Sequence, residues 1–376
     1  MEIARTGDNS LLCFGTADMD FRSAPEIISL LASTVQRGHF GYPFKRASYY
    51  EAIIGFYARK FGWNIEKEWI SSNVGIYPSM QPLIEELTDP GDEIIYQTPV
   101  HHIFKEVIEA AGRTAVQNPL MGRDGRYEMD FDNLAQVVTD RTRLFLLCSP
   151  HNPVGRVWTR GELLRLHEFC HSRGIVVLAD EVYCGLLYPS VEFTPMAALS
   201  EEASLNTVTL FSASKSFNVT GLKHSLVITE SKKLREAYLN GLKRNNLYYG
   251  GCIFGQAATE AALRDGDQWA DAVMDYVSDN HRLLTQFLND HIPEARVYQA
   301  EATYFAWVDL SALRMSTEQL QYFFERNAHI IVTHGAALGT GGEGHVRINL
   351  GCPRTVLTCG LHRIAAAYRH LQESAA

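Results

Sequence analysis

The chain has 376 residues, 46% of them hydrophobic, which is enough for a large core and more than one domain. Its formal net charge is −9, from 34 basic and 43 acidic residues. With no Lys/Arg run, that balance disfavours nucleic acid and other polyanions as partners and otherwise serves solubility.

The elements follow in chain order. Residues 48–61, SYYEAIIGFYARKF, read as an amphipathic helix. Residues 71–87, SSNVGIYPSMQPLIEEL, read as a glycine turn entering a helix. Strands are predicted at 92–99, 143–150, 175–183, 207–214 and 224–230. Helices fall between them at 101–112 and at 159–174, the latter with Thr159 as its N-cap. These strands are apolar on both faces, so they belong in a buried, mostly parallel sheet inside an α/β sandwich.

Near residue 280 the pattern changes. A long helix, 268–291, precedes a mixed tail with strands at 303–310 and 345–350. The prediction is a large domain, 46–280, and a smaller α/β domain formed by 1–45 and 281–376. GTGGEG at 339–344 fits a dinucleotide-binding glycine pattern but leads into a strand, not a helix, so it reads as a flexible loop.

No apolar stretch approaches the ~18 residues of a membrane span, and the first residues lack the order of a signal peptide. Seven cysteines at irregular spacing, with no C-x-x-C, point to neither disulfides nor a zinc site. A cytoplasmic protein with no metal is expected, and the Asn-Val-Thr triplet at Asn218 carries no meaning without a secretion signal.

In open α/β sheets, ligands bind beyond the carboxyl ends of the strands. Strand 143–150 delivers Asn152 there. Strand 175–183 delivers Asp180 and Tyr183, and strand 207–214 delivers Ser212, Ser214 and Lys215. Singly, each has an ordinary reading as a loop, cap or turn residue. Together, an amide, a carboxylate, a phenol, hydroxyls and an amine stand at one edge. Pyridoxal 5'-phosphate suits this set, because a lysine can condense with its aldehyde. Asp180 could pair with the ring nitrogen, Asn152 and Tyr183 with the phenolic oxygen, and Ser212 with the phosphate. Backbone N–H groups around Gly75, Ile76 and Tyr77 would add phosphate donors at a helix N-terminus, and Lys223 a cation.

Several stretches then carry a resemblance: TADMDFRSAPEII (16–28), GHFGYPF (38–44), LTDPGDEIIYQTPV (87–100), SPHNPVGRVWTRGEL (149–163), SASKSFNVTGL (212–222) and RINLGCPR (347–354). The chain resembles fold-type-I pyridoxal-phosphate enzymes, most closely the cystathionine β-lyase-like C–S lyases of the MalY/PatB group. The resemblance implies a mostly parallel seven-stranded sheet between helices, plus a smaller α/β domain. It implies Lys215 as the cofactor-bound lysine and proton shuttle, Asp180 on the ring nitrogen and Asn152 on the ring oxygen. Gly75, Ile76, Tyr77 and Ser212 would hold the phosphate. Arg347 would grip the substrate α-carboxylate, with Ala17 offering backbone to it. Tyr42 would reach the phosphate of a neighbouring subunit, hence a homodimer.

Two departures stand out. The family usually has a tyrosine after TPV, stacked on the cofactor; here it is His101, which can stack and also titrate near neutral pH. The lyases typically read D-E-I-H where this chain reads DEVY, and Tyr183 and Lys223 look more like the aminotransferase branch. The implied activity is β-elimination from a cysteine S-conjugate or cystathionine, giving thiol, pyruvate and ammonia. The alternatives are an aminotransferase, and a natural-product tailoring enzyme acting on an S-cysteinyl intermediate by elimination or decarboxylation-coupled oxidative deamination. From a different class comes a non-catalytic cofactor-binding regulator.

Overall fold

A computed structural model describes residues 10–248 and 250–375. Seven strands form its main sheet: β1 (Ile70–Asn73), β2 (Glu93–Thr98), β3 (Thr114–Pro119), β4 (Thr142–Cys148), β5 (Val176–Asp180), β6 (Thr207–Phe211) and β7 (Ser225–Ile228). Their spatial order is β1-β7-β6-β5-β4-β2-β3, with β7 antiparallel to both neighbours and the other pairings parallel. Alternate residues bury on opposite faces, as a two-residue period requires. Ile94, Leu144, Leu146, Leu178 and Leu210 pack on one side against Met80, Leu83, Ile84 and Tyr238. Ile95, Phe145, Leu147, Val177 and Ala179 pack on the other, against Leu163, Leu166 and Cys170.

The helices follow their sequence signals. Ala47–Phe61 buries Tyr49, Ala52, Ile53, Phe56 and Tyr57, one stripe at helical spacing. It stops at Gly62, whose φ of 64° is the left-handed conformation that glycine adopts without a Cβ clash. Arg160–His171 is capped by Thr159, with Glu162 completing a capping box.

Several boundaries differ from the sequence reading. Strand β6 ends at Phe211, because the Ser212 side chain accepts from Ser214 N and turns the chain into a single helical turn, Ala213–Ser216. Lys215 therefore sits on a helix, not at a strand end. Strand β5 stops at Asp180. Strands β1 and β3 were not anticipated: one is the short polar ISSN, the other ends in proline.

A second, antiparallel sheet has the order β8 (Arg296–Val297), β9 (Phe305–Asp309), β11 (His345–Asn349), β10 (Thr333–His334). It packs with the helices Asp267–His291 and Arg354–Ala375 in one apolar cluster that also takes in Val182 and Tyr183. The second sheet thus shares a core with the residues that follow β5. GTGGEG is a tight turn between a 3-10 segment and β11. A Cβ on Gly335 would lie 2.1 Å from the Gly342 carbonyl oxygen, so two backbones touch there where only glycine fits. Among the described residues, no helix is long and apolar enough to cross a membrane.

Candidate active site

Sheet topology gathers the candidate residues. Strands β1, β2, β4, β5 and β6 run the same way and end at one edge, and antiparallel β7 begins there. Gly75, His101, Asn152 and Ser212 follow strand ends, Asp180 is the last residue of β5, and Lys223 and His224 precede β7. A cavity of about 550 Å³ at this edge is lined by Ala17, Gly75, Ile76, Tyr77, His101, Asn152, Asp180, Tyr183, Ser212, Ser214, Lys215 and Lys223. Two predicted residues are not among its lining. Arg347, on β11, reaches the site through Asn152. Tyr42 lies elsewhere, 90% exposed, in a groove with Arg37, His39 and Arg46.

Lys215 Nζ donates to the Ala17 carbonyl over 2.8 Å. Burial holds its pKa below the usual lysine range; Arg347 and Lys223 push the same way, and Asp18 and Asp180 oppose them. The buried Asp180 carboxylate accepts one bond among the described residues, from Val182 N at 3.2 Å. Burial raises its pKa to about 7, against the opposing effects of that bond and of Lys215.

Arg347 is 3% exposed. Its guanidinium donates to Asn152 Oδ1 (3.0 Å), Gly15 O (2.8 Å) and Thr333 Oγ1 (3.0 Å), and lies over the Phe305 ring at 4.0 Å. None of these partners is charged, and among the described residues Nε is buried without a partner. A surface salt bridge does not describe it. A buried cation costs several kcal/mol unless an anion compensates it, so this arrangement suits a ligand carboxylate.

The helix Ile76–Leu87 starts at Gly75 with no side-chain cap. Its first N–H groups are left for an anion, with Tyr77 on the same turn and Ser214 and Lys223 across the cavity. Ser212 Oγ donates to His224 O at 2.6 Å, so its single proton is engaged within the protein.

His101 departs from its sequence reading. Burial, reinforced by His102, Arg347 and Lys215, lowers its pKa to about 3, so it is neutral at physiological pH and does not titrate there. Its ring stacks on Tyr77 and His102. Asn218, of the glycosylation triplet, uses its amide inside the protein: Nδ2 donates to Met19 O and Phe21 O, both at 2.8 Å.

Sequence reasoning missed Tyr304, Phe305, Thr333 and Val182. Tyr304 donates to the Ala17 carbonyl at 2.9 Å. Val182 lines the cavity between Asp180 and Tyr183, and its place in DEVY was the one available signal.

The donor set fits pyridoxal phosphate: an amine of lowered pKa, a buried carboxylate with spare acceptor capacity, and an uncapped helix N-terminus stand around one cavity. Comparison with known proteins agrees. Residues 22–364 match the family described as aminotransferase class I and II. The cystathionine beta-lyase PatB of Bacillus subtilis is 35% identical over 96% of this chain and 93% of its own length. The protein MalY of Escherichia coli is 30% identical over 97% and 93%. The crystal structure of cystalysin from Treponema denticola, which contains pyridoxal 5'-phosphate, superposes with a TM-score of 0.94 at 28% identity, covering 98% of this chain and 94% of that one.

Proposed function

This chain belongs to the aminotransferase class I and II family, and we propose that within it the protein is a pyridoxal-phosphate-dependent carbon–sulfur lyase acting on a cysteine S-conjugate. When bound, pyridoxal phosphate supplies an aldehyde that holds the amino acid and a protonated ring that withdraws electrons from its Cα. The chain's own residues do the rest. Lys215 holds the cofactor and, once released, takes the Cα proton on Nζ. Its lowered pKa provides the neutral amine this needs. Asp180 holds the positive charge at the ring nitrogen. Asn152 and Tyr183 would hold the ring oxygen, and the turn Gly75–Tyr77 with Ser214 and Lys223 would hold the phosphate.

Arg347 and Asn152 orient the α-carboxylate so that the Cα–H bond faces Lys215. The Cβ–S bond then breaks with its electron pair leaving on sulfur. The three-carbon enamine left behind is hydrolysed by water after release, so thiol, pyruvate and ammonia are the products.

Arg347 carries this reading: a buried guanidinium with no carboxylate partner among the described residues, linked to the lysine's cavity through Asn152. The similarity to named lyases over nearly the whole chain selects elimination over its competitors. Tyr183 and Lys223, both in the cavity wall, resemble the aminotransferase branch in sequence and keep transamination as a second reading.

Tyr42 and Phe44 are strongly exposed, and a second copy of the chain would cover them and bring Tyr42 to its neighbour's phosphate. A cofactor-binding domain over 46–280, a smaller domain from 1–45 and 281–376, and a cytoplasmic location complete the proposal. The test is a panel of S-alkyl and S-aryl cysteines, cystathionine and larger S-cysteinyl compounds. Thiol, pyruvate and ammonia in equal amounts support the lyase. Turnover that requires a keto acid and releases no thiol overturns it in favour of transamination. A retained cofactor band with no turnover of any amino acid leaves a binding role.

A further inference from the structure

His101 stands at the head of the helix Ile103–Ala110, on a turn fixed from two sides. Val100 N donates to Leu338 O at 2.8 Å, and His151 Nε2 lies 2.9 Å from Pro99 O. The GTGGEG turn closes over the same segment: a Cβ on Gly339 would lie 2.8 Å from Thr98 Cγ2. The imidazole is therefore placed by backbone that cannot shift freely.

Its tautomer follows from one contact. Tyr77 Oη lies 3.2 Å from His101 Nδ1, with the two rings 18° from parallel. Burial keeps the Tyr77 hydroxyl protonated, and among the described residues that proton has no other acceptor. Nδ1 thus accepts, and the ring's own proton sits on Nε2. The one side-chain hydrogen bond of His101 among the described residues is at Nδ1, which leaves Nε2 free, and the residue lines the cavity.

We propose that His101 donates a hydrogen bond from Nε2 to the sulfur that leaves Cβ, stabilising the thiolate as it forms. This rests on the lyase reading. A thioether sulfur is a weak acceptor and a thiolate a strong one, so the bond strengthens as the C–S bond breaks. His101 transfers no proton: the electron pair of the C–S bond stays on sulfur, and the thiolate takes its proton from water after release. The donor favours substrates whose thiols are basic and leave reluctantly, such as S-alkyl conjugates, over S-aryl conjugates that need no help.

The experiment compares the cofactor-loaded wild type, His101→Phe and His101→Gln at one pH, on S-ethyl, S-benzyl, S-phenyl and S-(para-nitrophenyl) cysteine. Phe keeps the stacking and removes the donor; Gln restores an N–H near Nε2. The expected result for His101→Phe is a kcat loss of roughly tenfold to a hundredfold on the S-ethyl substrate, with little loss on the para-nitrophenyl one, KM nearly constant and recovery in His101→Gln. An equal loss across the series, or none, overturns the proposal. A second readout needs no turnover: para-nitrothiophenolate should bind His101→Phe more weakly than wild type or His101→Gln by calorimetry, and equal affinities overturn the proposal. If the wild type releases no thiol from any conjugate, the lyase reading fails, and the calorimetric comparison still decides whether His101 binds a thiolate.

Discussion

Arg347 Nη1 donates to Asn152 Oδ1 over 3.0 Å, and this bond fixes which way the amide faces. Only the NH₂ end of Asn152 is left for the cavity, where it points toward the Tyr183 hydroxyl at 3.5 Å. One asparagine therefore connects Arg347, the cation proposed for the substrate carboxylate, to Tyr183, proposed to face the cofactor oxygen.

Replacing that acceptor by an anion should block the substrate. Asn152→Asp puts a carboxylate against Arg347 and occupies the cation that the substrate needs. KM for an S-conjugate should rise by roughly tenfold or more, the scale of a charge-assisted bond. Arg347→Lys should raise it similarly, because an ammonium cannot make the paired contact. Steady-state kinetics with the cofactor absorbance unchanged would check this; an unaltered KM in both variants would refute it.

Lys215→Ala should bind the cofactor without a covalent link. Borohydride treatment followed by peptide mass spectrometry should find the reduced adduct on Lys215 in wild type and nowhere in the variant. Elimination should fall by at least ~10²-fold, the low end for loss of a positioned base. An adduct on Lys223 instead would move the assignment.

Asp180 gives a pH prediction. Burial raises its folded pKa to about 7, and that of Glu181, its buried neighbour in sequence, to about 8, both above the unfolded values near 4. Their contribution to stability is fully present below about pH 4 and is lost as pH rises through 7 to 8, because the unfolded chain ionises first. The melting temperature of cofactor-free protein should fall across that window. Asp180→Asn should flatten the fall, and added cofactor should do so too, since a cationic ring nitrogen compensates the carboxylate. A melting temperature that rises with pH in this range would contradict the assignment.

Tyr42 gives a test of assembly. If it acts in the neighbouring site, mixing Tyr42→Ala with Lys215→Ala subunits produces hybrids with one doubly damaged and one intact site. Activity should reappear on mixing and refolding the two impaired proteins. No recovery, with dimers demonstrated by light scattering, would show that Tyr42 does not act in trans.

Much of the site was legible because strand ends mark themselves. Apolar runs stopping at Asn152, Asp180 and Lys215 are visible in one dimension, and a mostly parallel sheet brings such ends to one edge. Less visible was anything set by pairing across long sequence distances. Tyr304 reaches the Ala17 carbonyl and Phe305 lies against Arg347 because β9 pairs with β11, placing Trp307 opposite Arg347 and Phe305 opposite Asn349. No local pattern announces that register. The two unanticipated strands failed for composition, since ISSN and TAVQNP have neither a long apolar run nor clean alternation. For His101, side-chain identity suggested a titrating group, whereas burial and neighbouring cations decide its charge.

The carbonyl of Ala17 accepts from both Lys215 and Tyr304. Were the lysine to release it, as the proposed role requires, the tyrosine would still hold that oxygen. Asn349 keeps its grip on the carbonyls of Thr16 and Asp18, and Asn218 on those of Met19 and Phe21. The segment beside the Lys215 amine is thus fastened independently of it, so the proton shuttle proposed for that amine can run through each turnover without loosening the backbone it rests against.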